Sequence, residues 1–182
     1  GEFVAAGLAT QGMMWSTAPA ATEIENTVLD WLVDLLGLPP SWRLDEGPGG
    51  GVIQMSASDS THLSLAVARH QFELTGADAN SLVAYGSSQA HSSIEKGARV
   101  AGFKHIRSVP VTETFGIDAD AFAKIVRDDI DSGLIPAWVC SAVGTTNTTA
   151  MDPIRAIAAI ASENGLWHHA DAAYAGSAMI CP

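Results

Sequence analysis

The chain has 182 residues, 47% of them hydrophobic and 16% charged, which suffices for one sizeable core and excludes a disordered polar segment. Nine basic against twenty acidic residues give a net charge of -11 with no basic run, so a nucleic-acid or anionic-membrane surface is excluded and any bound anion must be caught locally by amides and hydroxyls. No apolar run approaches the roughly 20 residues that span a bilayer, and no signal segment opens the chain, so a cytoplasmic protein is expected.

Apolar Ile24, Val28, Trp31, Leu32 and Leu35 recur at helical spacing over 22–36, with Thr22 and Glu25 placed as a capping box and Gly37 and Pro39 ending the pattern. A loop rich in Gly and Pro follows and runs through GGGVIQ into Ser56-Ala57-Ser58. Beyond this turn the pattern predicts a helix over 61–74, a strand over 82–85, a helix over 92–100 and a strand over 105–111. An amphipathic helix over 119–130 precedes a continuous apolar strand over 137–143, as expected where both sheet faces are covered. Pro153 suits the first turn of a helix to about residue 162, Gly165 lies past its end, and 166–170 is the last strand. This alternation predicts one α/β domain with three layers and a mainly parallel sheet, binding its ligands at the carboxyl ends of the strands. Cys140 and Cys181 form no CxxC pair and sit in apolar segments, so buried free thiols are expected rather than a disulfide or a metal site.

Four places carry residues suited to chemistry. Ser56-Ala57-Ser58, between a Gly-rich stretch and a helix, offers amides and hydroxyls to a phosphate, or equally serves as an ordinary helix cap. His91 follows a strand and precedes a helix, so its imidazole projects over the strand-end crevice, to stack on a planar ligand, shuttle a proton or simply cap. Thr146 in Gly144-Thr145-Thr146 reaches either a ligand or the backbone of its own loop. Asp171 ends an apolar strand and is followed by small residues that let a flat ring approach; a carboxylate there suits a protonated ring nitrogen. His168 and His169 are adjacent on a strand and point to opposite faces, and His169 with Asp171 makes only two ligands, so no metal is expected. A nucleophilic hydrolase lacks its G-x-S-x-G elbow here. A phosphate turn, a stackable imidazole, a Thr and a ring-nitrogen Asp together point to pyridoxal phosphate.

TAPAATEIENTVLDWL, GGGVIQMSASDS, YGSSQAHSSIEKGARVAG, AVGTTNTTAMDPI and HHADAAYAGSAMICP, in that order, resemble the group II pyridoxal-phosphate decarboxylases, closest to the aromatic-L-amino-acid decarboxylases. The resemblance implies part of a fold-type I large domain spanning 1–182, without the N-terminal segment, the Schiff-base lysine segment and the C-terminal domain. It implies pyridoxal 5'-phosphate as cofactor and a lyase of amino-acid metabolism that decarboxylates an L-amino acid, aromatic by preference, as a cytoplasmic homodimer. Ser56, Ala57 and Ser58 match the phosphate-binding turn, and His91 matches the histidine that stacks on the ring and contacts substrate. Thr146 matches the Thr beside the ring, Asp171 the partner of the ring nitrogen, and Ala173 the small residue against the ring face. His91 and Asp171 are the catalytic pair so implied.

This chain departs from the family at several positions. Gln11 and Met13 replace an aliphatic and an aromatic residue in a segment expected to line the partner subunit's substrate pocket. Met55 replaces a Gly, and Asp59-Ser60 replaces Glu-Ala, beside the phosphate turn. Lys96, Lys104 and Lys124 are the only lysines, and none falls in the inferred crevice. An aldehyde synthase on the same fold and a non-catalytic fragment or degenerate homologue are the alternative readings; His91 leans towards simple decarboxylation.

Overall fold

The computed structural model describes residues 1–12 and 14–181. Contacts divide it into two compact units, Gly1–Gln54 with Met179–Pro182, and Met55–Ala178. The first holds α1 (Glu2–Gly7) and α2 (Pro19–Leu35). Helix α2 begins before Thr22, because Pro19 fits the first helical position, where its missing N–H costs nothing. Thr22 and Glu25 consequently lie inside the helix and form no capping box; Glu25 instead accepts the N–H of Ile53 at 2.7 Å. The returning chain is held to α2 in the same manner: Arg43 bonds Asp34 and Asp45, each at 2.6 Å, and Asp30 accepts the Leu44 N–H at 2.8 Å.

The second unit runs α3 (Ala57–Leu74), β1 (Leu82–Ser87), α4 (Ser93–Val100), β2 (His105–Val109), α5 (Ala119–Asp131), β3 (Ile135–Ala142), α6 (Ile154–Asn164) and β4 (Trp167–Asp171). All four strands are parallel, in the order β2-β1-β3-β4. Alternation of side chains divides the core in two. Leu82 and Ala84 of β1 pack with Trp138 and Cys140 of β3 against Leu65 and Ala68 of α3 and Ala98 of α4. Val83 and Tyr85 pack with Val139 against Phe122 and Val126 of α5 and Ile157 of α6. Helices therefore cover both faces, and every residue of β1 is buried. This is the predicted three-layer parallel α/β arrangement.

Two consequences position the site. The chain leaves β1 for the edge strand β2, then returns past β1 to β3, so the strand order reverses between β1 and β3, where the carboxyl ends open a crevice. Because α3 ends close before β1 begins, it runs back along the sheet and sets its N-terminus at that same carboxyl end. Gly165, at φ 70°, stops α6 in the left-handed conformation that glycine adopts without strain and lets the chain turn into β4.

Candidate functional site

Trp167, His169 and Asp171 alternate onto the β4 face that carries α3, while His168 faces the other layer. The contacts follow this division. His168 Nε2 lies 2.7 Å from the Ser141 hydroxyl, whereas His169 stacks on Trp138 with ring centroids 5.5 Å apart and lies 3.4 Å from Thr61 Oγ1 on α3. Burial lowers the pKa of both imidazoles below the ordinary 6.5. Cys140, next to His169 in the sheet register, is buried, and burial pushes its thiol up, so it stays protonated and inert. Cys181, against expectation, is exposed.

Asp171 emerges from β4 towards the start of α3. Ala57, Ser60, His169, Asp171, Ala172 and Ala173 line a cleft of about 240 Å³ between them. One carboxylate oxygen of Asp171 accepts the Ala173 N–H at 3.1 Å, which fixes the side chain within its own turn and leaves the second oxygen available to a ligand. At the α3 end, Ser56 is the N-cap: its hydroxyl accepts the Asp59 N–H at 3.2 Å and donates to the Asp59 carboxylate at 2.8 Å. The helix start leaves the amides of Ala57 and Ser58 without intrahelical acceptors, beside the positive end of an 18-residue helix. Ser56 thus fills the capping role, and the amides of Ala57 and Ser58 are left free to donate.

Thr146 lies on the β3–α6 loop. Thr145 is buried and does the structural work, its hydroxyl 2.7 Å from that of Thr148 and accepting the Ala150 N–H at 3.1 Å; Thr146 is exposed. Gly144 turns this loop at φ 87°, and a Cβ there would lie 2.6 Å from the Tyr174 ring, so only glycine fits. His91 lies on the β1–α4 loop. The backbone N–H of Ser93 donates to His91 Nδ1 at 3.2 Å, and the Ser93 hydroxyl is 2.9 Å away. Since that amide can only donate, Nδ1 is the acceptor and the ring proton sits on Nε2. His91 lines a separate hollow of about 290 Å³, with Ser88, Glu95, Arg107 and Ser108, at the carboxyl ends of β1 and β2.

The structure therefore brings Ala57, Asp171 and Ala173 into one cleft, with Ser56 and Ser58 on the adjoining helix start, and places Thr146 and His91 on the two loops that flank the strand-order reversal. Gln11 belongs to the other unit, where its side chain accepts the Thr17 hydroxyl at 2.6 Å. Met13 lies outside the described residues. Sequence reasoning passed over Thr61, Trp138 and Ser93, whose neighbours come from distant segments or from a two-residue turn; only Ser93, two residues from His91, left a readable signal. Among the described residues no group of His, Cys, Asp and Glu is placed to hold a metal ion.

The cleft fits pyridoxal phosphate on its own chemistry. Alanines give an apolar wall, the free amides of the helix start would suit an anion, and a carboxylate with one oxygen to spare would suit a protonated ring nitrogen. Comparison with known proteins agrees. An aromatic-L-amino-acid decarboxylase of Catharanthus roseus is 45% identical over all of this chain and 37% of its own length, and a phenylacetaldehyde synthase of Arabidopsis thaliana is 43% identical over all of this chain and 38% of its own. The crystal structure of Oryza sativa TDC with PLP and tryptamine superposes with a TM-score of 0.93 at 40% identity, over all of this chain and 39% of that one. The chain thus spans under two-fifths of each of these three relatives, and its parallel sheet is part of the fold-type I architecture. The model of the pyridoxal-dependent decarboxylase conserved domain matches residues 1–182, and the chain belongs to that family.

Proposed function

We propose that the full-length protein carrying this chain is a carboxy-lyase that removes CO2 from an aromatic L-amino acid, using pyridoxal phosphate, and works as a cytoplasmic homodimer. The observation that carries this reading is the Asp171 carboxylate facing the α3 N-terminus across an alanine-walled cleft. When bound, the cofactor supplies the electron sink for the bond pair left behind by departing CO2. The residues of this chain do the rest. The amides of Ala57 and Ser58 hold the phosphate, and Ala173 leaves room for the ring face. Asp171 keeps the ring nitrogen protonated through its charge. His91, with its proton on Nε2, presents a donor to the reacting group, and the Thr146 hydroxyl steers the ring edge.

Lys96 bonds Ser92, Lys124 pairs with Asp128, and Lys104 is exposed before β2, so the lysine that would carry the cofactor is assigned to a part of the protein outside this chain. The homodimer follows from the role given to Gln11 and Met13 in a partner's pocket. No helix among the described residues is long and apolar enough to cross a membrane, in keeping with the proposed compartment.

The aldehyde synthase is the second reading, favoured by the 43% identity to a phenylacetaldehyde synthase. Assay of the full-length protein against a panel of amino acids, with CO2 and hydrogen peroxide both measured, separates the two. CO2 with amine and no peroxide from an aromatic substrate is the expected result. Stoichiometric peroxide would establish the synthase, and no CO2 from any amino acid would overturn both.

A further inference from the structure

Asp152 ties the β3–α6 loop that bears Thr146 to the end of β3, the strand paired with β4. Its side chain is buried, 6% exposed, beyond the β3–α6 loop. Oδ2 accepts the N–H of Ala142 at 2.6 Å and Oδ1 that of Ile117 at 2.8 Å, while the Asp152 N–H donates to the Ala142 carbonyl at 3.0 Å. Ala142 is the last residue of β3 and the register partner of Asp171. The next residue, Val143, donates to the Asp171 carbonyl at 2.8 Å and bridges Met151. One buried carboxylate thus closes the base of the loop that bears Thr146 and fixes the strand end against which Asp171 is aligned. Burying it is costly, since burial pushes its pKa upward against the pull of both amides.

We propose that Asp152 is a positioning residue for the cofactor site, holding Thr146 and Asp171 at their working separation without touching the cofactor. This rests on the reading of the Asp171 cleft as a pyridoxal phosphate site. A purely structural role has a natural control in Tyr85, whose hydroxyl donates to another buried carboxylate, Asp129, at 2.9 Å. Asp129 lies in the last turn of α5, and neither it nor Tyr85 lines the Asp171 cleft.

The test uses the full-length protein stripped of cofactor, with the Kd for pyridoxal phosphate measured by equilibrium dialysis and the urea midpoint measured alongside. Asp152→Asn sets an amide NH2 against one of the two backbone donors, and its Kd rises by about tenfold or more. Tyr85→Phe lowers the midpoint and leaves Kd within about twofold. Asp152→Asn with a wild-type Kd overturns the proposal. A Kd that shifts equally in both variants does so too. Failure of the wild-type protein to bind pyridoxal phosphate would instead overturn the functional reading. Should Asp152→Asn not fold, coupling is read in the wild type by hydrogen exchange. Saturating cofactor slows the Ala142 and Ile117 amides if the carboxylate is linked to the site, and unchanged exchange at both contradicts it.

Discussion

Asp171 ends β4 and His91 lies on the loop after β1, as the strand pattern implied, but what holds each side chain comes from neighbours. Asp171 owes its direction to the two-residue period of β4, which could be counted, and its fixed side chain to the Ala173 amide, which could not. His91 owes its tautomer to the Ser93 amide, a bond that exists only once the loop has turned. The adjacent pair His168 and His169 were correctly placed on opposite faces by the same period, yet their burial depends on Ser141 and Trp138 of β3 and Thr61 of α3. That burial has a pH signature. Both folded-state pKa values lie below 6.5, so the unfolded chain takes up protons that the folded chain refuses as pH falls through that value. Their contribution to stability is complete above pH 6.5 and is lost progressively below it, towards the folded pKa values. The urea midpoint of the full-length protein should fall over this range, and the fall should shrink in His168→Gln or His169→Gln. A profile equally steep in both variants would contradict the assignment.

At the scale of elements, those with strong periodicity were read within a few residues of their observed ends, since burial on both sides enforces the pattern. Helices α2 and α3 both begin earlier than predicted, at Pro19 rather than 22 and at Ala57 rather than 61, and in α2 the cause is plain. Its Thr and Glu imitated a capping box, while the earlier Pro19 marked the true start. Helix α1 carries no buried residue and so has no apolar pattern to read. Nor did local sequence disclose how the elements are fastened together. Arg107 of β2 bonds Asp129 of α5 at 2.6 Å through Nη2, and Tyr85 of β1 bonds the same carboxylate, joining three elements through one buried charge. Asp129 has a side chain 8% exposed and Arg107 one 36% exposed. Arg107→Met would leave the carboxylate with only the tyrosine, at a cost of about 2 kcal/mol, below the fully buried case because Arg107 is in part solvated. The urea midpoint of this variant against wild type measures it. A change smaller than that of Tyr85→Phe would show that solvent already screens the pair.

Across the whole molecule, the alternation of strands and helices was enough to predict a parallel sheet covered on both faces, because a parallel crossover must return over a sheet face. It could not give the strand order. The reversal between β1 and β3 emerges only in three dimensions, and it sets the loops that bear His91 and Thr146 on either side of the switch point, with His91 lining a hollow of its own. A net charge of -11 leaves no diffuse attraction for an anionic cofactor, so under the proposed reading capture falls to the helix start at Ala57 and Ser58. In the proposed site Asp171 is the charge that would hold a ring proton. Its most direct test is turnover by Asp171→Asn in the full-length protein, a change that keeps shape and removes charge. The account predicts that kcat falls about a hundredfold or more while the urea midpoint stays at the wild-type value. A folded variant with near-normal kcat would contradict it.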